Sequence, residues 1–422
     1  MKQETKCIQS GYVPGNGQPR TLPIYQSTTY QYDDGDALSK LFDLEAEGHM
    51  YSRISNPTLA AVETKIADLE GGVGAMLTSA GQAATFLAVF NICSAGQNFV
   101  SLTNIYGGSV NLFSVTMARM GIEVRFARDD MTDAELDSLF DENTRLVFGE
   151  TIANPALTVL DIGRFSALAH RHGVPLVVDN TFATPCLCRP LEHGADIVTH
   201  STSKYMDGHA NVLGGCIVDG GTFDWEASGK YPELTTPDES YHGVVYTKQF
   251  GKSAYITKAR VQLMRDFGCI MSPMSAYLLN LGLESLAVRI QRHSENALKV
   301  AEFLEKQEKV LWVNYPLLSS CPSYALAKTY LPHGASGVVS FGVRGGRAAA
   351  MKLMNSLKLA KIVVHVADAR TSVLHPASTT HRQLTDEQLT ASGIGPEFVR
   401  FSVGIEHVED IIADLKQALD AI

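Results

Sequence analysis

From residue 56 onward the chain alternates between two hydrophobic rhythms. Leu59, Val62, Ile66 and Leu69 recur at spacings of three and four, the period of a helix with one buried face. Asn56-Pro57 ahead of them supplies a capping side chain and a residue pre-set for the first helical turn, and Gly71-Gly72 stops the run. A short apolar run over 75–78 follows, and small residues from Gly81 read as another helix. Strand candidates then come at 98–102, 123–127, 145–149, 176–179, 196–200 and 214–218, with helical stretches such as 162–172 between most of them. Strands alternating with helices predict an α/β fold whose large, mostly parallel sheet is covered on both faces.

The rhythm lapses over 222–250, which is rich in Gly, Pro, Tyr and Asp and reads as a long excursion. A helical region over 272–309 follows. Shorter strands at 337–343, 361–366 and 398–403, with helices near 346–357 and 407–421, predict a smaller C-terminal α/β unit with a mixed sheet. Residues 1–50 carry no strong period and read as an arm or lid.

Composition narrows the function. At about 150 residues per domain, 422 residues suggest two or three domains. Apolar residues at 45% and charged residues at 19% are ordinary for a globular chain, and 35 basic against 45 acidic residues give a net charge of −10. That balance argues against nucleic acid or an anionic membrane as the main partner. The opening MKQETKCIQSGYVPGNG lacks the apolar core of a secretory signal. The richest apolar stretch, 76–93, is broken by Thr78, Ser79, Gln82, Thr85 and Asn91, so it does not span a bilayer. Seven scattered cysteines read as reduced thiols of the cytoplasm, and the lone pair Cys186 and Cys188 has no second pair at zinc spacing, so no metal is expected.

Familiar motifs fail on spacing. Gly251-Lys252-Ser253 ends like a P-loop, but Tyr246 stands where the first glycine is needed. No GxGxxG follows a strand, and no GxSxG is present. His170 and His172 read as part of a solvated helix face. Three other places carry more. Asp179 ends the apolar strand of PLVVDNT, at the carboxyl edge where open α/β sheets bind ligands. A carboxylate there needs a partner to offset desolvation. Lys204 follows the next strand within HSTSKYMDGH, beside Ser201, Thr202 and Ser203, whose hydroxyls suit an anion. SAGQAA (79–84) turns from strand into helix on small residues, and bare amides at a helix start suit phosphate. A lysine after a strand is usually a surface charge, and an aspartate there is often a cap. A lysine, a carboxylate and a phosphate cradle on neighbouring strand ends together are what pyridoxal phosphate requires.

YSRISNPT, IYGGSVNLF, VVDNTF, HSTSKYMDGH, HPASTTH and VRFSVGIE, in that order from about residue 6 to the C-terminus, resemble the cysteine/methionine-metabolism family of pyridoxal phosphate enzymes. The resemblance implies the aspartate-aminotransferase fold (fold type I) and a homotetramer made of two tight dimers. It implies three parts: an arm over 1–55 contributing to the neighbouring subunit's site, a cofactor-binding domain over 56–255 and a C-terminal domain over 256–422. Carried over by motif, Lys204 is the Schiff-base lysine, Asp179 pairs with the pyridine nitrogen, and Tyr106 stacks on the ring and assists proton transfer. The amides of Gly81 and Gln82, with Ser201 and Ser203, bind phosphate, and Thr181 joins the cofactor contacts. Tyr51 and Arg53 reach the phosphate from the neighbour, Asn154 contacts the ring's phenolic oxygen, and Arg400 clamps the substrate carboxylate with its guanidinium fork.

Three departures accompany the match. Ser203 stands where the family usually has Thr. His365 stands where relatives carry Ser or Asn, and is assigned either to the substrate carboxylate or to filling space. Gly108 stands where methionine γ-lyases have Cys. The excursion FDWEASGKYPELTTPDESYHGVVY and the tail HPASTTHRQLTDEQLTASGIGPEFVRFSVGIE are most similar to the O-acetylhomoserine sulfhydrylase subgroup. The implied reaction replaces acetate on the substrate's γ carbon by sulfur, giving L-homocysteine. Methionine γ-lyase, cystathionine γ-synthase and, remotely, a non-catalytic binding or regulatory subunit are the alternatives. The sulfur donor stays open between sulfide, methanethiol and a carrier protein's thiocarboxylate.

Overall fold

The computed structural model describes residues 1–380, 382 and 393–422. His381 of HPASTTH and residues 383–392 of the tail motif lie outside the described residues.

Twelve strands are found among the described residues. β1 (Gly74–Thr78), β2 (Asn98–Leu102), β3 (Glu123–Ala127), β4 (Thr144–Glu150), β5 (Leu176–Asp179), β6 (Ile197–His200) and β7 (Gly215–Asp219) form one sheet in the order β1-β7-β6-β5-β4-β2-β3. β2 through β6 run parallel, β7 runs against β6, and β1 runs against β7. Two reversals restore the direction, so β1 ends at the same edge as the parallel strands. β8 (Val310–Asn314), β9 (Val338–Val343), β10 (Lys361–Ile362), β11 (Ser372–Leu374) and β12 (Phe398–Ser402) form a mixed second sheet in the order β10-β11-β12-β9-β8.

The helices used below are α1 (Gln3–Gln9), α2 (Pro57–Glu70), α3 (Gly81–Phe90), α4 (Ile162–Arg171), α5 (Thr184–Leu187), α6 (Pro273–Glu284), α7 (Leu286–Leu304), α8 (Gly346–Ser356) and α9 (Val408–Ala421). α2 begins as its sequence dictates: Asn56 Oδ1 accepts from the Thr58 amide, Pro57 sits in the first turn, and Gly71 closes the helix in the left-handed region. Helices α2, α3 and α4 cover the large sheet, and α7 and α8 pack the second sheet, with α9 against both of them; Val339, Phe341, Val399 and Phe401 of that sheet are buried.

Four expectations change in detail. The helical region over 272–309 is two helices, α6 and α7, meeting at Ser285, and its last residues lead into β8. The strand expected over 361–366 is only Lys361–Ile362. Ala367 takes φ +71° and gives its amide to Ser402 Oγ at 2.9 Å, which turns 363–368 away from the ladder. The excursion folds into short helices, and its Trp225 packs edge-on with Tyr231 and stacks on Tyr255. Tyr231 also bonds the Arg145 carbonyl near the amino end of β4, opposite the carboxyl edge. His170 and His172 do not simply face solvent, since His170 contacts Asp196 at 2.8 Å and His172 contacts Asp137 at 2.7 Å.

Candidate active site

Six strands, β1 to β6, end at one edge, and the candidates lie at or just past the ends of β1, β2, β4, β5 and β6. β5 ends at Asp179, one Asp179 oxygen accepts from the Thr181 amide at 2.9 Å, and Thr181 Oγ1 accepts from the Ser201 amide at 2.8 Å. The turn after β6 carries Lys204, tied by the Gly208 amide to the Lys204 carbonyl at 2.8 Å. β1 leads through Ser79-Ala80 into α3, whose first residues are Gly81 and Gln82. A Cβ on Gly81 would stand 2.6 Å from Ser201 Cβ, so the bare amides at the start of α3 approach Ser201 only because this residue is glycine. Ser203 behaves otherwise: its hydroxyl accepts from the Gly214 amide at 2.9 Å and donates to the Gly214 carbonyl at 3.2 Å, so it is spent on that turn.

The second sheet brings Arg400 from β12. Its side chain is buried, its Nη2 donates to the Val364 carbonyl at 3.0 Å, and its Nη1 lies 3.4 Å from Asn154 Oδ1. Neighbouring His365 places Nδ1 3.4 Å from Lys204 Nζ. Tyr106 caps the loop after β2 with 48% of its surface open. Gly108 lies against that ring: a Cβ there would stand 2.4 Å from Tyr106 Cε1 and 2.6 Å from Gln82 Nε2. Tyr51 and Arg53 are not part of this cluster. Both are exposed, with the Arg53 guanidinium 5.0 Å from the Tyr51 ring centroid, and neither bonds another candidate among the described residues.

Sequence reasoning missed Glu150. It ends β4 directly opposite Asp179 in the strand register. Its Oε1 accepts from the Tyr106 amide at 2.7 Å and its Oε2 from the Asn154 amide at 3.2 Å, so one carboxylate positions both loops. The signal was present: LVFGE, like PLVVD, is an apolar strand ending in an acid. Arg289 was also missed. From α7 its guanidinium donates to the carbonyls of Tyr205 at 2.8 Å and Gly282 at 2.6 Å, bracing the turn that holds Lys204. Beneath the strand ends, Asn180 donates to Glu70 at 2.9 Å, His200 meets Glu70 at 2.6 Å, and Thr151 donates to Asn180 at 2.8 Å.

Burial sets the electrostatics. Desolvation, helped by the Arg400 charge, brings the Lys204 amine down to about 8, with Asp368 opposing. Desolvation brings Arg400 down to about 10 and His365 to about 4, the latter helped by Lys204. His365 is therefore neutral at pH 7, and the ammonium of Lys204 donates to its Nδ1. Asp179 is raised by burial, and Glu150 is raised well above the carboxylate range by burial and the Asp179 charge.

Three features of this cluster fit a bound phosphorylated pyridine. No lysine or arginine pairs with Asp179 among the described residues, so a protonated ring nitrogen has a waiting counter-charge. Gln82 Oε1 and His365 Nε2 are buried without a partner among the described residues, which marks a place where a ligand or water belongs. The Gly81 cradle offers amides at a helix start.

Comparison with known proteins agrees with this geometry. The family model described as Cys/Met metabolism PLP-dependent enzyme matches residues 4–420. A homocysteine synthase of Schizosaccharomyces pombe is 46% identical over 420 residues, covering 99% of this chain and 98% of that protein. O-acetyl-L-homoserine sulfhydrylase 1 of Thermus thermophilus is 45% identical over 424 residues, covering 99% of this chain and 100% of its own. The crystal structure of a putative O-acetylhomoserine (thiol)-lyase of Campylobacter jejuni, holding a pyridoxyl-lysine monophosphate, superposes with a TM-score of 0.95 at 36% identity over 100% of both chains. The lysine, the carboxylate and the glycine cradle that the ends of β6, β5 and β1 bring together thus sit in a chain that belongs to the pyridoxal phosphate-dependent enzymes of cysteine and methionine metabolism.

Proposed function

We propose that this chain replaces the acetate of O-acetyl-L-homoserine by a sulfur nucleophile, giving L-homocysteine and acetate. The observation that carries this reading is full-length similarity at 42–46% identity to relatives named as sulfhydrylases and homocysteine synthases. The crowding at Gly108 supports it against methionine γ-lyase, because a larger side chain there would displace the Tyr106 ring.

Pyridoxal phosphate, once bound, supplies the electron sink that stabilises charge left when protons leave the substrate. The protein's part follows from its side chains. Lys204 is the base at the α carbon. With its amine near 8, about a tenth of it is neutral at pH 7, against under about a thousandth for an ordinary lysine. Asp179 holds the proton on the ring nitrogen. Tyr106 stacks on the ring and keeps its hydroxyl near the γ leaving group. Arg400 takes the substrate carboxylate in its fork, and its contact with Asn154 lines that clamp up with the residue assigned to the ring's phenolic oxygen. The start of α3, with Ser201 and Thr181, receives the phosphate. The lysine modified in the Campylobacter jejuni structure supports assigning that linkage to Lys204.

The exposure of Tyr51 and Arg53 supports their service in a neighbour's site, and with it a homotetramer of two tight dimers and an arm over 1–55. The large sheet belongs to a cofactor-binding domain over 56–255 and the second sheet to a domain over 256–422. No helix among the described residues is long and apolar enough to cross a membrane, and all seven cysteines are free, which supports a reducing, cytoplasmic setting. Product analysis tests the reaction. O-acetyl-L-homoserine should be supplied with sulfide, methanethiol, cysteine or a carrier thiocarboxylate, and methionine alone in parallel. Homocysteine and acetate from the sulfide arm are expected. Predominant cystathionine from cysteine, or methanethiol released from methionine, overturns the reading in favour of the synthase or the lyase.

A further inference from the structure

Two thiols outside the site stand in contact. Cys7 Sγ on α1 lies 4.0 Å from Cys186 Sγ on α5, across 179 residues of sequence. Cys7 is fully buried and Cys186 partly exposed. The contact is registered by a second one: Gln3 Nε2, also on α1, donates to the Pro185 carbonyl at 2.7 Å and to the Leu69 carbonyl at 2.8 Å. Lys6 anchors the same helix on Asp68 at 2.9 Å.

The surroundings favour one sulfur as the nucleophile. The Cys7 thiol is lowered by its contact with Cys186, and further by a backbone group of Ala287 and the Lys65 ammonium, against burial and Glu4. Cys186 is raised by Cys7 and by burial. Elsewhere burial pushes Cys93 up to about 12 and raises Cys188 and Cys216 as well, which holds those thiols protonated. A disulfide needs sulfurs about 2.05 Å apart, so the pair must close by about 2 Å. α1 is the side that can yield, since seven residues of helix are not stable without their contacts.

We propose that Cys7 and Cys186 form a dithiol oxidation site, closed by hydrogen peroxide into a disulfide that pins α1 to the segment following the Asp179 strand. When α1 loosens and Cys7 meets solvent, its thiolate attacks one peroxide oxygen, the O–O bond breaks, and hydroxide leaves and is protonated to water. The resulting Cys7 sulfenic acid is attacked by Cys186, an S–S bond forms, and the S–O bond breaks with loss of a second water. Two thiols and one peroxide thus give one disulfide and two waters. A small-molecule thiol reverses it. The segment pinned is not remote: Asn180, next to Asp179, donates to the Cys188 carbonyl at 2.9 Å. The inference stands on the thiols alone and does not depend on the reaction proposed above.

The test treats cofactor-loaded enzyme with stoichiometric peroxide, alkylates free thiols, and maps peptides without reductant. The expected product is a Cys7–Cys186 linked peptide lighter by two hydrogens, lost on reduction and absent from Cys7→Ser and Cys186→Ser. In Cys186→Ser, Cys7 should be trapped as a sulfenic acid that a dimedone-type probe labels. The oxidised wild type should melt a few degrees above its reduced form, because the bridge restrains a long loop of the unfolded chain. Cys186→Ser should show no such rise. Separate sulfinic acids without a link, a link involving other cysteines, unreacted Cys7 and Cys186, or a melting point that does not rise would each overturn the proposal.

Discussion

Glu150→Gln gives the sharpest test of how the site is held. The substitution keeps shape and one carbonyl oxygen but replaces the other oxygen by an NH2 group. The carbonyl should keep the shorter bond, 2.7 Å from the Tyr106 amide, which leaves the Asn154 amide at 3.2 Å facing another donor. A buried donor without an acceptor costs about 1–3 kcal/mol. At about 1.4 kcal/mol per tenfold, that is roughly 5- to 150-fold in the equilibrium that forms the Asn154 loop. Removing the acid acts the other way on the empty protein, since burial and the neighbouring Asp179 disfavour ionisation of Glu150 and an amide carries no such cost. The two effects separate by observable. Thermal stability of the cofactor-free chain should hold or rise. The dissociation constant for pyridoxal phosphate, read by titration of its absorbance, should increase about tenfold, and kcat should fall because the Asn154–Arg400 contact loosens. A variant with cofactor affinity and kcat/KM both within twofold of wild type would refute the reasoning. A variant that loses stability first would make Glu150 a folding residue.

Other outcomes follow from the same geometry. Arg400→Lys keeps the charge and loses the fork, so KM for the amino-acid substrate should rise about ten- to hundred-fold in steady-state assays, and an unchanged KM would place the carboxylate elsewhere. Gly108→Ala should push the Tyr106 ring from its place and lower kcat by about tenfold or more, whereas wild-type turnover would show that the ring moves at no cost. Co-expressed Arg53→Ala and Lys204→Ala subunits should recover activity that neither has alone, because one site of a mixed dimer carries neither defect. Verified heterodimers without activity would assign Arg53 to its own chain. Asp219 is buried, bonded to the Gly221 and Ile256 amides, and raised to about 7. Its folded pKa lies above its unfolded value, so its stabilisation is complete below about pH 4 and is lost as pH rises through about 7. Urea unfolding should therefore show a steeper loss of stability between pH 4 and 7 in wild type than in Asp219→Asn, and equal slopes would contradict the assignment.

Much of the large sheet was legible because fully buried parallel strands are written as apolar runs of the right length, and capping residues such as Asn56 and Gly71 mark a helix at both ends. Lys204, Asp179 and Gly81 were legible because their place just past strand ends is a local property. What escaped was non-local. β11 is three residues long and takes its strand geometry from pairing with β10 and β12 on either side. The bend at Ala367 depends on a hydroxyl 35 residues further on. Ser203 looked like an anion ligand by position, and the Gly214 turn that occupies it lies across a loop. Glu150 was readable only as one more acid until its register opposite Asp179 was known.

The turn that holds Lys204 is gripped from the other sheet's side of the molecule. Arg289 stands on α7, which packs against β8, β9 and α9, and the Ala369 amide, a few residues past His365, donates to the Gly208 carbonyl at 2.9 Å. Arg400 rides on the same second sheet. Lys204, proposed as the base, and Arg400, proposed as the carboxylate clamp, are therefore mounted on one chassis, and neither can be displaced without tugging the other. With the roles proposed for them, a substrate that seats badly at its carboxylate end would misalign the amine that takes its proton, so a poor fit at one end of the molecule would lower turnover as well as affinity.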